Sequence, residues 1–180
     1  SIVVGFKLEM ILEAQPDVSF VYNEAYDQTN TSKSLLKALR VSHESGVLWL
    51  NGDVVFDKSV LERISDRIKN EKSFVCVNTS AVGEEEVKYT VNSNGNINAL
   101  SKQVQNALGE AVGINFISNK DKAHLIEELN NCADNDYFER GIELAIEKYG
   151  IAIEPVDISD LFAVEVDFQA DLDRANSKFN

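Results

Sequence analysis

A few acidic residues and one lysine stand where they could handle phosphate. In "GVLWLNGDVVF" a mostly apolar run leads into Asn51-Gly52-Asp53, so the Asp53 carboxylate sits on a turn at the carboxyl end of a strand. Open α/β sheets place their ligands at such strand ends. Asn, Gly and Asp are also ordinary turn formers, so turn chemistry alone explains the same residues. In "AVEVDFQADL", Glu165 and Asp167 alternate along a strand and share one face, while Val164 and Val166 take the other. Asp171 then falls in the first turn of a helix, as a partner for the helix dipole or as a plain cap. A divalent cation that holds phosphates uses one or two carboxylates plus phosphate oxygens. Asp53 and the Glu165/Asp167 strand could supply them; a solvated strand face would carry the same acids. Lys102, at the end of "NINALSK", is an edge charge or a cation aimed at phosphate.

Other chemistries have little to build on. His43 and His124 are the two histidines, and neither has a second ligand at metal spacing. A zinc site is disfavoured, and so are Ser-His-Asp and Cys-His mechanisms. Cys76 and Cys132 stand far apart with no CxxC spacing, which predicts buried, reduced thiols of a cytoplasmic protein. The formal net charge of -13 repels nucleic acid. It leaves room for a small phosphorylated ligand if a cation bridges the carboxylates to it. No stretch is long and apolar enough to span a membrane, and no signal-peptide pattern occurs.

The elements that must position these residues follow from periodicity. The 180 residues, 44% of them hydrophobic, suggest one domain with a real core. "SIVVGF" reads as a buried strand, "KLEMILEAQ" as a helix with Leu8, Ile11 and Leu12 at helical spacing, and "VSFVYN" as strand again. "TNTSKSLLKALRVS" is a capped helix with Leu35, Leu36 and Leu39 on one face. "GVLWLNGD" is the next strand, and "DKSVLERISDRIKN" an amphipathic helix with Val60, Leu61, Ile64 and Ile68 inward. This opening β-α-β-α-β-α pattern predicts a mostly parallel sheet faced by helices. Then come short strands in "SFVCVNT", "EEVKYTVNS", "NINALSK" and "EAVGINFIS", with Asn94-Gly95 as a hairpin signal. Inserted antiparallel strands make the sheet mixed. Helices in "KDKAHLIEELNNC" and "DYFERGIELAIEKYG", strands in "IAIEPVDIS" and "LFAVEVD", and a last helix in "QADLDRANSKF" complete the chain.

Taken in order, these segments resemble the nucleotidyltransferases that join a nucleoside triphosphate to a phosphorylated sugar or alcohol. The small cytidylyltransferases of the phosphocholine and inositol-phosphate type are the nearest subgroup. The resemblance runs over nearly the whole chain: "IVVGFKLEMI", "FVYNEAYDQTNTSKSLLKAL", "VLWLNGDVVFD", "NGNINALSK", "GEAVGINFIS", "NDYFERGIELAI" and "AVEVDFQADLDRA" match its successive segments. It implies a Rossmann-like three-layer α/β sandwich with a mixed, mostly parallel sheet and an antiparallel hairpin insertion. It also implies transfer of a nucleotidyl group, CMP from CTP in that subgroup, with release of pyrophosphate and with Mg2+ as cofactor. By the same resemblance Asp53 and Asp167 hold the metal, with Glu165 beside Asp167. Asn30 and Ser34 lie near the nucleotide, Lys102 faces the acceptor phosphate, and Glu110, Tyr137 and Glu139 shape or support the acceptor side. The implied partners are the two small substrates, with no nucleic acid and no membrane.

One departure matters. The family opens with a strand and a glycine-rich loop that cradles the triphosphate; the nine glycines here are scattered and this chain carries no such segment. The reading for residues 1–180 is therefore a single nucleotidyltransferase-like domain lacking its first strand and phosphate loop, weak or inactive on its own. An exposed sheet edge would then be open to a second copy or another chain. The alternative is a non-catalytic nucleotide- or sugar-binding module of the same fold. The acceptor stays open: Leu161-Phe162-Ala163 stands where related enzymes often carry a tryptophan, which weakens the case for choline.

Overall fold

The structure is a computed structural model and describes residues 1–80, 82–83 and 86–179. In chain order its elements are β1 (Ile2–Val4), α1 (Leu8–Ala14), β2 (Phe20–Tyr22), α2 (Thr31–Arg40), β3 (Val47–Leu50), β4 (Val54–Phe56), α3 (Ser59–Lys69) and β5 (Phe74–Asn78). There follow β6 (Lys88–Val91), β7 (Ile97–Ser101), β8 (Gly109–Ile117), α4 (Asn119–Asn131), α5 (Phe138–Tyr149), β9 (Glu154–Asp157), β10 (Ala163–Glu165) and α6 (Gln169–Phe179). The α/β class and the mixed sheet are those expected from the sequence. The sheet is not the mostly parallel one expected: among the described residues parallel pairing is found at β1–β2 and β5–β9, and the other pairings are antiparallel. Periodicity reads the type of each element but not its partner, which is why β3 could be placed as a strand and its antiparallel pairing with β8 could not.

The chain forms two compact units. The first comprises Ser1–Ser45 and Lys120–Ile151. In it β1 and β2 make a two-stranded parallel ribbon, and α2 buries Leu35, Leu36 and Leu39. Asn30 caps α2 by accepting from the Thr31 N–H at 2.7 Å. Lys33 reaches from α2 to the last carbonyls of α4, at Leu129 (3.3 Å) and Asn130 (3.4 Å), where a cation completes a helix C-terminus. The helices α4 and α5 approach closely at Gly141, where a Cβ would fall 2.6 Å from Leu129 Cδ2. Gly150 ends α5 at φ 64°, as the sequence predicts. The helix α1 forms as expected, yet none of its residues is buried.

The second unit comprises Gly46–Asn119 and Ala152–Asn180. Its main sheet runs β7-β6-β8-β5-β9, and β3 pairs with β8 as well. The Asn94-Gly95 hairpin is present, with Gly95 at φ 79° joining β6 to β7. The helix α3 lays Val60 and Ile64 on a core of Phe74, Cys76, Val112, Ile114, Phe116, Val156 and Ile158. Truncating a fully buried Ile64 to alanine would cost about 2–5 kcal/mol. Leu61, expected to face inward, is 44% exposed. Val60 and Ile64 fill the sheet-facing side, and Leu61 is turned off it by one helical step. Both cysteines are buried and free, and burial pushes the Cys76 thiol up to about 12.

Candidate functional site

The second unit gathers its carboxylates around one irregularity in β8. That strand is shared lengthwise: β6 pairs with its start, at Gly109 and Glu110, and β3 pairs with its end, from Ile114 to Ile117. Between them β8 bulges against β5, where Val77 pairs with Ala111 but Val75 pairs with Asn115. Gly113 lies inside this bulge at φ 65°, a left-handed conformation that glycine takes without strain. Beyond β3 the Asn51-Gly52-Asp53 turn docks here: the Asn51 N–H donates to Gly113 O at 2.9 Å. The chain then enters β4, which pairs antiparallel with β10 so that Val54 lies opposite Glu165. One step further, the Val166 N–H donates to Asp53 O at 3.0 Å. Two segments more than a hundred residues apart are thereby locked together, with Asp53 at the end of one and Glu165 in the other.

Beside them opens a cleft of about 300 Å³. Its charged wall is Glu86, Glu110, Glu165, Asp167, Asp171 and Arg174, and Val112, Ile158, Leu161 and Val164 supply apolar wall. Charge is crowded in it. The Glu165 carboxyl is raised to about 7, first by burial and then by the charge of Asp53, against the opposing hydrogen bond from Asn51. The Glu86 carboxyl is also raised, by burial and by the charges of Glu110 and Asp167, with Lys102 and Lys88 pulling the other way. Glu110 is held in place, accepting from the Gly83 N–H at 2.8 Å and from Asn78 Nδ2 at 3.4 Å.

The structure thus brings Asp53, Glu110, Glu165, Asp167 and Lys102 into one charged neighbourhood of the second unit. Asp167 differs in its setting from the expected strand: β10 ends at Glu165, and Asp167 is an exposed residue of the turn into α6. The turn forms because the Phe168 N–H donates to the Asp171 carboxylate at 3.0 Å, which makes Asp171 a cap as well as a cleft residue. Asn30, Ser34, Tyr137 and Glu139 lie in the first unit. There Asn30 caps α2, Ser34 Oγ accepts from Asn23 Nδ2 at 3.1 Å, Tyr137 precedes α5 and is 46% exposed, and Glu139 is buried in α5. Phe162, in the Leu161-Phe162-Ala163 stretch, carries Lys178 over its ring at 5.7 Å and packs edge-on against Phe179. Sequence reading missed Glu86, Asn51 as a side chain, Gly113 and Arg174. Only Arg174 carried a signal, lying one helical turn after Asp171.

Among the described residues no three His, Cys, Asp or Glu side chains converge as a ready-made metal site. The donor set nevertheless fits a hard cation. It is all oxygen, its charges already repel at Asp53 and Glu165, and magnesium asks a protein for only one or two carboxylates when phosphates complete its shell. No helix among the described residues is long and apolar enough to cross a membrane.

Comparison with known proteins agrees with this architecture. A family model described as the MobA-like NTP transferase domain matches residues 1–132. No curated protein matches the chain in sequence. The inositol-1-phosphate CTP transferase from T. maritima superposes with a TM-score of 0.78 at 15% identity, covering 98% of this chain and 74% of that one. HddC from Yersinia pseudotuberculosis gives 0.70 at 14% identity over 99% and 77% of the two chains. The CTP:phosphocholine cytidylyltransferase from Streptococcus pneumoniae gives 0.69 at 13% identity, again over 99% and 77%. At these identities the likeness to the solved structures is one of fold.

Proposed function

The chain belongs to the MobA-like NTP transferase domain family, the nucleotidyltransferases, and from that premise we propose that it transfers CMP from CTP to a phosphorylated small alcohol or sugar, with magnesium. The observation that carries this reading is the crowding of carboxylates beside the cleft, where Glu165 is raised to about 7 next to Asp53. Acids that resist ionising together are a seat for a cation, and the cation brings phosphates with it. CTP is favoured as donor because two of the similar folds are named as CTP enzymes.

In the reaction an oxygen of the acceptor phosphate bonds to the α-phosphorus of the nucleotide. The α–β bridging bond breaks and pyrophosphate leaves with the electron pair, so no protein base has to remove a proton. The work is alignment and charge compensation among crowded anions. Asp53 and Asp167 would hold the magnesium, with Glu165 beside them; the bound ion would neutralise charge that develops on the phosphate oxygens. Lys102 faces the acceptor phosphate, and Glu110, fixed by Gly83 and Asn78, orients the acceptor's hydroxyls. For Asn30 and Ser34 on the nucleotide, and Tyr137 and Glu139 on the acceptor, we propose supporting roles.

We further propose that one more strand, bearing a glycine-rich phosphate loop, completes the catalytic domain. Among the described residues β1 pairs only with β2, so it keeps one edge without a partner. Such an edge invites a strand. The rival reading, a non-catalytic binding module, draws on the lack of a ready-made three-ligand metal site among the described residues. Pyrophosphate release, measured with each nucleoside triphosphate, magnesium and a panel of phosphorylated alcohols and sugars, tests the assignment. Release above background with CTP and one acceptor class supports it. Nucleotide stabilisation in a thermal shift assay that ignores magnesium, with no release, supports the module.

A further inference from the structure

Asn51 does more than shape its turn. Its side-chain Nδ2 donates to Glu165 Oε1 at 3.2 Å, across 114 positions of sequence. The contact depends on the bulge in β8. A Cβ built on Gly113 would lie 2.7 Å from Asn51 Nδ2 and 2.9 Å from Glu165 Oε1, so any larger residue would push into the pair. A glycine in a left-handed conformation inside the nine-residue β8 is itself unfavourable, by about 0.5–1 kcal/mol against alanine in a regular strand. Its position here is explained by the amide and carboxylate seated against it. Glu165 is half-buried beside a second carboxylate, and a donor fixed by the backbone at both ends of its turn is well placed to orient it.

We propose that Asn51 is a positioning residue for the cation-and-phosphate site: its amide fixes Glu165 through Oε1, Gly113 makes room for that contact, and Oε2 is left for the ligand. This role rests on reading Asp53, Glu165 and Asp167 as the cation site. Hydrogen-bond partners that orient a metal's carboxylates are typically worth 10–100-fold in affinity.

The test uses Mn2+ as the probe, its dissociation constant read by electron paramagnetic resonance on the whole chain, with thermal unfolding in chelator as a check of folding. Asn51→Ala is expected to weaken Mn2+ binding roughly tenfold while the protein stays folded. In a Glu165→Ala background the same change should have no further effect, because Asn51 acts through Glu165. Asn51→Ser, which keeps turn chemistry but removes the amide, serves if the alanine variant unfolds, with the same expectation. Mn2+ affinity within twofold of wild type, or losses that multiply in the double variant, would overturn the role while Asp53→Asn still weakens binding. If wild type binds no Mn2+, or Asp53→Asn binds it equally well, the cation reading falls and this role falls with it.

Discussion

The two units use their polar groups differently. In the first, charge is matched to a partner. Lys33 sits on the carbonyls that end α4, and Lys122, almost fully buried, donates to Ser42 Oγ, His43 O and Ser45 O. Lys148 meets Glu127 at 2.7 Å and Glu128 at 2.8 Å, which holds both carboxyls below their ordinary range. The second has such pairs too, as Arg63 with Asp160 at 2.8 Å, but its cleft also gathers several carboxylates, and there Glu165 and Glu86 are raised. Satisfied polar groups hold a fold together; crowded groups of like charge persist only where something else offsets them. The difference is the ground on which we propose the second unit's cleft as the place where chemistry is done.

The largest expected effect breaks the comparison at its centre. In the domain completed by its phosphate-loop strand, Asp53→Asn should lower magnesium-dependent pyrophosphate release by at least about a hundredfold, in the range seen when one electrostatic stabiliser is removed. Unfolding should move by less than about 2 °C, since the Asp53 side chain is exposed and supports no core contact. Release within tenfold of wild type would place the site elsewhere.

Gly113→Ala comes next. The new methyl meets Asn51 and Glu165 below 3 Å, and its backbone must keep a positive φ. Left-handed strain and overpacking together should destabilise the protein by roughly 2–4 kcal/mol, read by urea unfolding. A loss under about 0.5 kcal/mol would mean that β8 relaxes there at no cost, and the bulge would not be what seats the pair.

How much of this was legible in the sequence follows from the range of the forces involved. The hairpin at Asn94-Gly95, the stop at Gly150 and the inward Val60 and Ile64 are local signals, and each appears where its residues place it. Leu61 misled because one apolar residue beside a helical stripe cannot be told from the stripe itself. Asp53 and Glu165 could be singled out by type and strand position, but not their adjacency, which comes from the β4–β10 pairing. Glu86 and Asn51 were invisible because their importance is wholly a matter of which distant residue they face. Gly113 looked like any scattered glycine; only the backbone angle and the near contacts reveal its purpose.

A smaller effect sharpens the electrostatic side of the comparison. With a folded pKa of about 7 against 4.5 for the free side chain, Glu165 keeps its proton in the native state where the unfolded chain has lost it. Stability should therefore fall as pH rises from 4.5 to 7 and stay reduced above that. Glu165→Gln removes the penalty. In chelator at pH 8 it should be more stable than wild type by roughly 1–2 kcal/mol, after discounting for solvent screening at a half-exposed group. That is a rise of about 2–8 °C in Tm for a chain of this size, vanishing at pH 4. An equal Tm for the two proteins at pH 8 would show that the acids beside the cleft are not crowded.

The smallest effect tests the other side, in the first unit. Asn30 accepts from the Thr31 N–H and satisfies one of the donors that open α2. Its loss in Asn30→Ala should lower stability by about 1 kcal/mol. If the polar groups of this unit serve architecture, nucleotide affinity, measured by titration calorimetry with CTP and magnesium, should change by less than about threefold. The same reasoning applies to Ser34, which accepts from Asn23, a residue that is itself buried. A tenfold loss of CTP affinity in Asn30→Ala, with stability down by no more than that 1 kcal/mol, would make Asn30 a direct nucleotide contact. The contrast between partnered charges in the first unit and crowded carboxylates in the second unit's cleft would then fail at the residue where the family resemblance first placed the nucleotide.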